Sequence, residues 1–150
     1  MESDSVKETK KHIKRVKELL STICTKLRIR GDKHDASKLK DPEVTIFEEY
    51  TSKLKDTEYN SKEYKQFLQE MKPALDHHYK NNSHHPEHYK NGINGMSLID
   101  IFEMLADWRA ATERNKNGDI KKSIEMNTDR FKIDDQLKQI LLNTVKELHW

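Results

Sequence analysis

Apolar residues in the first part of the chain recur at the spacing of an α-helix. They stand three, four or seven positions apart, at Val6, Ile13, Val16, Leu20, Ile23 and Leu27. This spacing places apolar side chains on one face of a helix and polar side chains on the other. The sequence therefore predicts an amphipathic helix over residues 6–27 that ends at Gly31.

The same periodicity returns along the rest of the chain. It covers residues 44–54, 61–79, 97–115, 120–130 and 134–148. A short helix is also expected from about Lys33, and Pro73 is expected to kink the helix that contains it because proline lacks a backbone N–H. No segment shows the alternation of a β-strand. The sequence therefore predicts an all-α fold, a single-domain compact helical bundle over residues 1–150.

Composition limits the classes of protein that the chain can belong to. Charged residues make up 36% and hydrophobic residues 33%, so the apolar faces must be narrow. The 28 basic and 26 acidic residues nearly cancel, which argues against a nucleic-acid partner. The single cysteine excludes an internal disulfide and a paired-cysteine zinc site. No apolar run reaches the ~18 residues of a membrane helix, and we expect a cytoplasmic protein without a membrane partner.

Histidines are concentrated in one short segment. Seven of the eight lie in the first 88 residues, and five of these lie in residues 76–88. Imidazole and carboxylate groups are ligands that zinc, iron, manganese, cobalt and nickel accept in proteins. The sequence therefore predicts a site for one or two divalent transition-metal ions without naming the metal. The alternative is a solvated, histidine-rich loop.

Two other segments in the first part of the chain carry candidate ligands. His12 borders the apolar face of the first predicted helix. His34 and Asp35 are adjacent and follow a turn, so both side chains can reach one ion. The pair is followed closely by Lys38, which either binds a substrate phosphate or is solvated.

A further carboxylate is expected from the helix predicted over residues 97–115. Asp100, Glu103 and Asp107 share a face of this helix at spacings of three and four. Asp107 is the best candidate ligand because it lies in an apolar stretch, where a carboxylate is unfavourable unless it is paired or metal-bound. Asp100 and Glu103 are either surface charges or groups that orient histidine ligands.

These motifs resemble, in order, the pattern of the HD-domain phosphohydrolase superfamily. The resemblance rests on His12, the string HDASK at residues 34–38, the histidine cluster and the string LADW at residues 105–108. The strings HDASK, MKPALDHHYKNNSHHPEHY and SLIDIFEMLADWRAAT also look like a family of uncharacterised phage and bacterial proteins. The resemblance implies an HD-like helical fold in which a first metal is held by His12, His34, Asp35 and Asp107. It implies ligands for a second metal among His78, His84, His85 and His88.

The chemistry implied is metal-dependent hydrolysis of a phosphoester. A metal-bound water would attack the phosphorus of a small phosphorylated molecule, with a nucleotide as the expected substrate. Asp35 would bridge two ions, and Glu87 would act as general acid or base or orient a ligand. Lys38 and Arg109 are candidates for phosphate binding, although Arg109 also fits a surface salt bridge.

Two other functions remain open at this stage. A smaller branch of the same superfamily carries a di-iron centre that activates oxygen, so the resemblance also allows an oxygenase. The third reading is a non-catalytic module that binds a nucleotide or a metal. The sequence leaves a homodimer open as well, since no residue demands one.

Overall fold

The computed structural model describes residues 3–55, 57, 61–114 and 116–150. Within these residues the chain is all-α, with seven α-helices, three short 3-10 turns and no β-strand. The helices are α1 (Asp4–Lys33), α2 (Glu43–Lys55), α3 (Lys62–Glu70), α4 (Lys72–Asn81), α5 (Leu98–Glu113), α6 (Ile120–Phe131) and α7 (Asp135–Glu147). The all-α class that the periodicity predicts is confirmed. The predicted helix end at Asn115 lies outside the described residues.

The chain divides into two compact units, Met1–His34 and Asp35–Trp150. The expectation of one domain over residues 1–150 stays a prediction. The first unit contains α1, which begins after Ser3, whose side chain accepts a hydrogen bond from the N–H of Val6. None of the described helices is both long enough and apolar enough to cross a membrane.

The end of α1 differs from the prediction. The helix continues past Gly31 to Lys33, and the carbonyl of Gly31 accepts a hydrogen bond from the N–H of His34. Glycine keeps its N–H and disfavours a helix by only about 1 kcal/mol relative to alanine, so it does not force a stop.

Pro73 breaks the predicted helix over residues 61–79 into two. α3 ends at Glu70, and α4 begins at Lys72 with the proline in its first turn. A proline there needs no partner for its missing N–H, whereas in a helix interior it would remove a hydrogen bond and clash with the preceding turn. In place of the predicted kink there is a boundary between two helices, α3 and α4.

The hydrophobic core of the second unit lies among its last three helices. Leu105 from α5 packs with residues of α6 and α7. Trp108 packs against this cluster and stacks on Phe131, with ring centroids 6.3 Å apart. Trp108 therefore contributes to the packing of the core. The buried members of the cluster are Leu105, Ile120, Ile124, Ile133, Leu141 and Val145.

The other part of the second unit brings polar residues together. α2 packs against α4, and the 3-10 turn Ala36–Leu39 contacts both helices. Two further 3-10 turns, Pro86–His88 and Gly92–Gly95, connect α4 to α5. The histidine-rich segment therefore begins on α4 and continues through an ordered connection to the start of α5.

Candidate metal centre

Four predicted ligands converge in the second unit. Asp35 precedes the 3-10 turn Ala36–Leu39, His78 lies on α4, and His84 and His85 lie just after α4. One ligand atom from each of the four lies within 4.8 Å of every other. Because bonds to zinc are about 2.0–2.2 Å long, ligands of one ion lie within about 4.4 Å of each other. The spacing of this group, which we call the Asp/His cluster, is close to that of a metal site.

Asp35 lies close to two of the three histidines of the Asp/His cluster. Its Oδ1 lies 3.4 Å from Nε2 of His78 and 3.5 Å from Nε2 of His84. The Nε2 atoms of His78 and His85 are 2.8 Å apart. His78 and His84 are buried, whereas Asp35 and His85 are half-buried. The cluster is thus shielded from solvent on one side and accessible on the other.

Two carboxylates contact the buried histidines at Nδ1, the ring nitrogen that does not face Asp35. Oε2 of Glu43 lies 2.8 Å from Nδ1 of His78, and Oε1 of Glu103 lies 3.1 Å from Nδ1 of His84. An ionised carboxylate only accepts hydrogen bonds, so each histidine donates from Nδ1, and Nε2 is the ring nitrogen left to bind a metal ion. Histidines that bind metals commonly have such a partner on the other ring nitrogen. This arrangement turns both Nε2 atoms toward Asp35.

Glu43 is a fully buried carboxylate with several hydrogen-bond partners. Its exposed fraction is 0%, and its other oxygen, Oε1, lies 2.7 Å from Nδ1 of His77. Burial alone would raise its pKa, but hydrogen bonds from His77, Ser37 and His78 outweigh burial and hold the pKa of Glu43 below its usual value. Glu43 is therefore ionised and orients two consecutive histidines of α4.

Two of the cluster histidines, His78 and His85, have lowered pKa values that favour the neutral form, which binds metals. Burial lowers the pKa of His78, with Glu43 opposing this effect and the charge of Lys38 adding to it. Burial, together with the neighbouring His84 and His78, lowers the pKa of His85 to about 3. Metal binding at neutral pH would therefore displace few protons from these side chains.

The segment after α4 is fixed by hydrogen bonds to Asp100. Oδ1 of this buried carboxylate accepts from Ser83 at 2.8 Å, and Oδ2 accepts from Tyr89 at 2.9 Å. Asp100 also forms a capping box with Ser97 at the start of α5. Because Ser83 precedes His84, these bonds position the cluster histidines relative to α5.

Asp107 and Lys38 lie beside the Asp/His cluster. Oδ2 of Asp107, one helical turn after Glu103 on α5, lies 4.0 Å from Nε2 of His84. Nζ of the exposed Lys38 lies 2.6 Å from Oδ2 of Asp35. Asp107 is thus placed as a further ligand, and Lys38 supplies a positive charge at the accessible side.

Three predicted site residues have partners elsewhere. Glu87, the proposed general acid or base, forms an ion pair with Arg130 of α6 at 2.8 Å. Nδ1 of the exposed His88 lies 2.8 Å from the carbonyl oxygen of Tyr79. Arg109 pairs with a glutamate one turn further along α5, at 3.2 Å. The geometry gives none of these three a position in the Asp/His cluster.

His12 and His34 belong to the first unit. His12 is exposed on α1, and His34 is half-buried at the C-terminal end of that helix. Their predicted role as ligands of the first metal stays a prediction. The group within the second unit contains Asp35 and three histidines without them.

Glu43 and His77 were not among the site residues predicted from the sequence. Glu43 lies in the first turn of α2, where a carboxylate is common because it suits the helix dipole, so its position carried no signal. His77 stood next to His78 but was not distinguished by its spacing. Glu103 was expected either to orient a histidine or to be a surface charge, and the distance to His84 supports the first interpretation.

A cavity of approximately 360 Å³ adjoins the cluster between α2 and α4. Part of the lining is formed by His78, His85 and Lys38. The rest of the lining is mostly apolar or aromatic, and it comes from Phe47, Thr51, Leu75 and Tyr79. The lining therefore combines cationic and metal-ligating groups with apolar groups.

These features define an all-α protein with a histidine and aspartate group that can hold a metal ion. Three imidazoles and one carboxylate suit zinc, manganese, iron, cobalt or nickel. The chain belongs to a family of unknown function, DUF5662, whose model matches residues 1–147. No curated protein and no solved structure matches the chain.

Proposed function

We propose that this chain is a metal-dependent phosphohydrolase that acts on a small phosphoester. The observation that carries the proposal is the Asp/His cluster, in which Glu43 and Glu103 orient two of the three histidines. Carboxylates that orient ligands are expected at a metal site and have no role in a solvated, histidine-rich loop. The resemblance of the HDASK and LADW strings to the HD superfamily supports hydrolysis as the chemistry.

The chain supplies ligands, orientation and charge. Asp35, His78, His84 and His85 are the proposed ligands, with Asp107 as a further one. When a divalent transition metal is bound, it supplies a Lewis acid and lowers the pKa of a bound water.

Lys38 is the proposed phosphate-binding residue. Its ammonium lies against Asp35 and lines the cavity, so an incoming phosphate oxygen meets a positive charge beside the ligands. The half-buried His85 and the cavity leave an accessible side to the cluster. The volume of the cavity favours a small phosphorylated molecule, with nucleoside monophosphates among the candidates.

The test is elemental analysis of protein made without a histidine tag, together with hydrolysis of p-nitrophenyl phosphate and nucleoside monophosphates. We expect about one to two equivalents of a transition metal and phosphate release in the wild type, both lost in Asp35→Ala. Asp76→Ala is the matched control, because this exposed aspartate of α4 forms an ion pair with Lys72, one turn away on the same helix, and is not a member of the Asp/His cluster.

Three outcomes are distinguishable. A protein without metal after incubation with manganese, iron, cobalt, nickel and zinc would refute the proposal. Bound metal without phosphate release would leave a metal-binding module. Two equivalents of iron together with oxygen consumption would instead support the oxygenase.

A further inference from the structure

The cavity beside the Asp/His cluster has two chemically different parts. One part of its lining consists of the imidazoles of His78 and His85 and the ammonium of Lys38. Its walls bring rings from α2 and α4 toward the same space. Phosphate suits the first part, whereas an apolar group suits the second.

The aromatic walls are arranged around the proposed ligands. The ring of Phe47 lies edge-on to His78, with centroids 6.4 Å apart. The ring of Tyr79 lies 5.2 Å from that of His85, again edge-on. Leu75, one turn before Tyr79 on α4, adds an aliphatic side chain to the lining of the cavity. Any group that extends from a phosphate at the cluster into the cavity therefore meets aromatic rings and methyl groups.

We propose that this cavity binds the organic part of an aromatic phosphate monoester. The proposal rests on the proposed function for the position of the phosphate, and it assigns the specificity to Phe47, Leu75 and Tyr79. A small aromatic ring gains from apolar burial and from edge-to-face contacts with these walls. A polar alcohol such as glycerol would lose hydrogen bonds to water there without replacement.

Thr51 offers a way to fill the cavity without touching a proposed ligand. It lines the cavity but is exposed on α2, and its hydroxyl donates to the carbonyl of Phe47 at 2.6 Å. Thr51→Trp should occupy the apolar compartment, and Thr51→Leu should narrow it. Ser52→Trp is the matched control, since Ser52 is the next residue, is exposed and does not line the cavity.

The experiment is calorimetric titration of the manganese-loaded protein with phenylphosphonate and methylphosphonate, which share a head group and resist hydrolysis. We expect the wild type and Ser52→Trp to bind phenylphosphonate at least about tenfold more tightly than methylphosphonate, because the phenyl ring is buried in the cavity. Thr51→Trp should remove the preference for phenylphosphonate and keep the affinity for methylphosphonate. Thr51→Leu should reduce the preference for phenylphosphonate. Circular dichroism checks that each variant is folded.

Equal affinity of the wild type for the two phosphonates would overturn the inference, as would an unchanged preference in Thr51→Trp. Hydrolysis of phenyl phosphate by the same samples tests the proposed function separately. A preference that Thr51→Trp removes, without turnover, would support the cavity assignment and contradict hydrolysis. Turnover of phenyl phosphate and glycerol phosphate at equal kcat/KM would support hydrolysis and contradict the cavity assignment.

Discussion

At the scale of single residues, Glu43 distinguishes a prepared site from a chance group of histidines. Each of its carboxylate oxygens accepts from a different histidine of α4, and the side chain is fully buried. Such a charge is unfavourable in the protein interior unless it is satisfied by hydrogen bonds. The hydrogen bonds that Glu43 accepts therefore fix the orientations of the His77 and His78 rings.

Glu43→Gln should weaken metal binding by about 10–100-fold, the usual effect of removing a partner that orients a ligand. The amide keeps the shape of the side chain but presents a donor to one of the two histidines. Competition with a chelating dye measures the affinity for manganese or zinc. Glu48→Gln, an exposed change on the same helix, is the control and should match the wild type. Equal affinities for the two variants would contradict a positioning role for Glu43.

At the scale of elements, the start of α5 is tied to the segment that carries His84 and His85. Asp100 accepts hydrogen bonds from Ser83, Tyr89 and Ser97, and these bonds outweigh the effect of burial and lower the pKa of Asp100. The carboxylate therefore joins a helix cap and the histidine-bearing segment in one network.

Asp100→Asn should lower the free energy of unfolding by about 1–3 kcal/mol, because the amide places a donor where several donors point. Asp119→Asn is the matched control. Asp119 is the exposed N-cap of α6, where asparagine caps as well as aspartate. Urea unfolding of the metal-free proteins measures both changes, and equal midpoints for the two variants would show that the network around Asp100 contributes little.

The connection between α5 and α6 gives a second prediction at this scale. A Cβ on Gly118 would clash with the carbonyl oxygen of Thr112, a backbone atom. Gly118→Ala should therefore destabilise the protein by about 1–3 kcal/mol, as overpacking does. Gly31→Ala, at a helical site with nothing within 4 Å, should instead raise the helix content of α1. Thermal unfolding by circular dichroism should separate the two, and a neutral Gly118→Ala would refute the predicted clash.

At the scale of the whole molecule, the titratable groups of the second unit make its stability depend on pH. The pKa values of His78 and His85 are lowered in the folded protein, mainly by burial. An unfolded histidine, with a pKa near 6.5, binds a proton more readily than either of these. Protonation on acidification therefore favours the unfolded chain, and stability falls as pH falls below about 6.5. The lowered pKa values of Glu43 and Asp100 add a further loss below about pH 4.

The midpoint of urea unfolding of the metal-free protein should decrease from about pH 7 to about pH 4.5. His85→Gln should flatten this dependence, because it removes a group that the folded state keeps neutral. Gln139→Asn, an exposed change that removes no titratable group, should leave the pH dependence unchanged. Identical slopes in the wild type and His85→Gln would contradict the burial-lowered pKa of His85.

Local interactions explain what the sequence determined. Helical periodicity and the caps at Ser61, Ser97 and Asp134 act within a few residues, so the helices were predictable to within a turn. The break between α3 and α4 at Met71 and the continuation of α1 past Gly31 were less predictable. The donor types of the metal centre were also predictable, because five histidines in residues 76–88 are a compositional signal. The sequence thus determined the all-α class and a set of candidate ligands.

Only the tertiary structure decided which candidates meet. His84 and His85 reach Asp35, whereas Glu87 pairs with Arg130, because the connection between α4 and α5 turns successive side chains in different directions. Glu43 comes to His77 and His78 through the packing of α2 against α4, across 35 residues of sequence in the case of His78. Periodicity describes one helix at a time, and the partners of a buried charge lie on another helix. The ligands were therefore visible in the sequence, and the groups that orient them were set by packing.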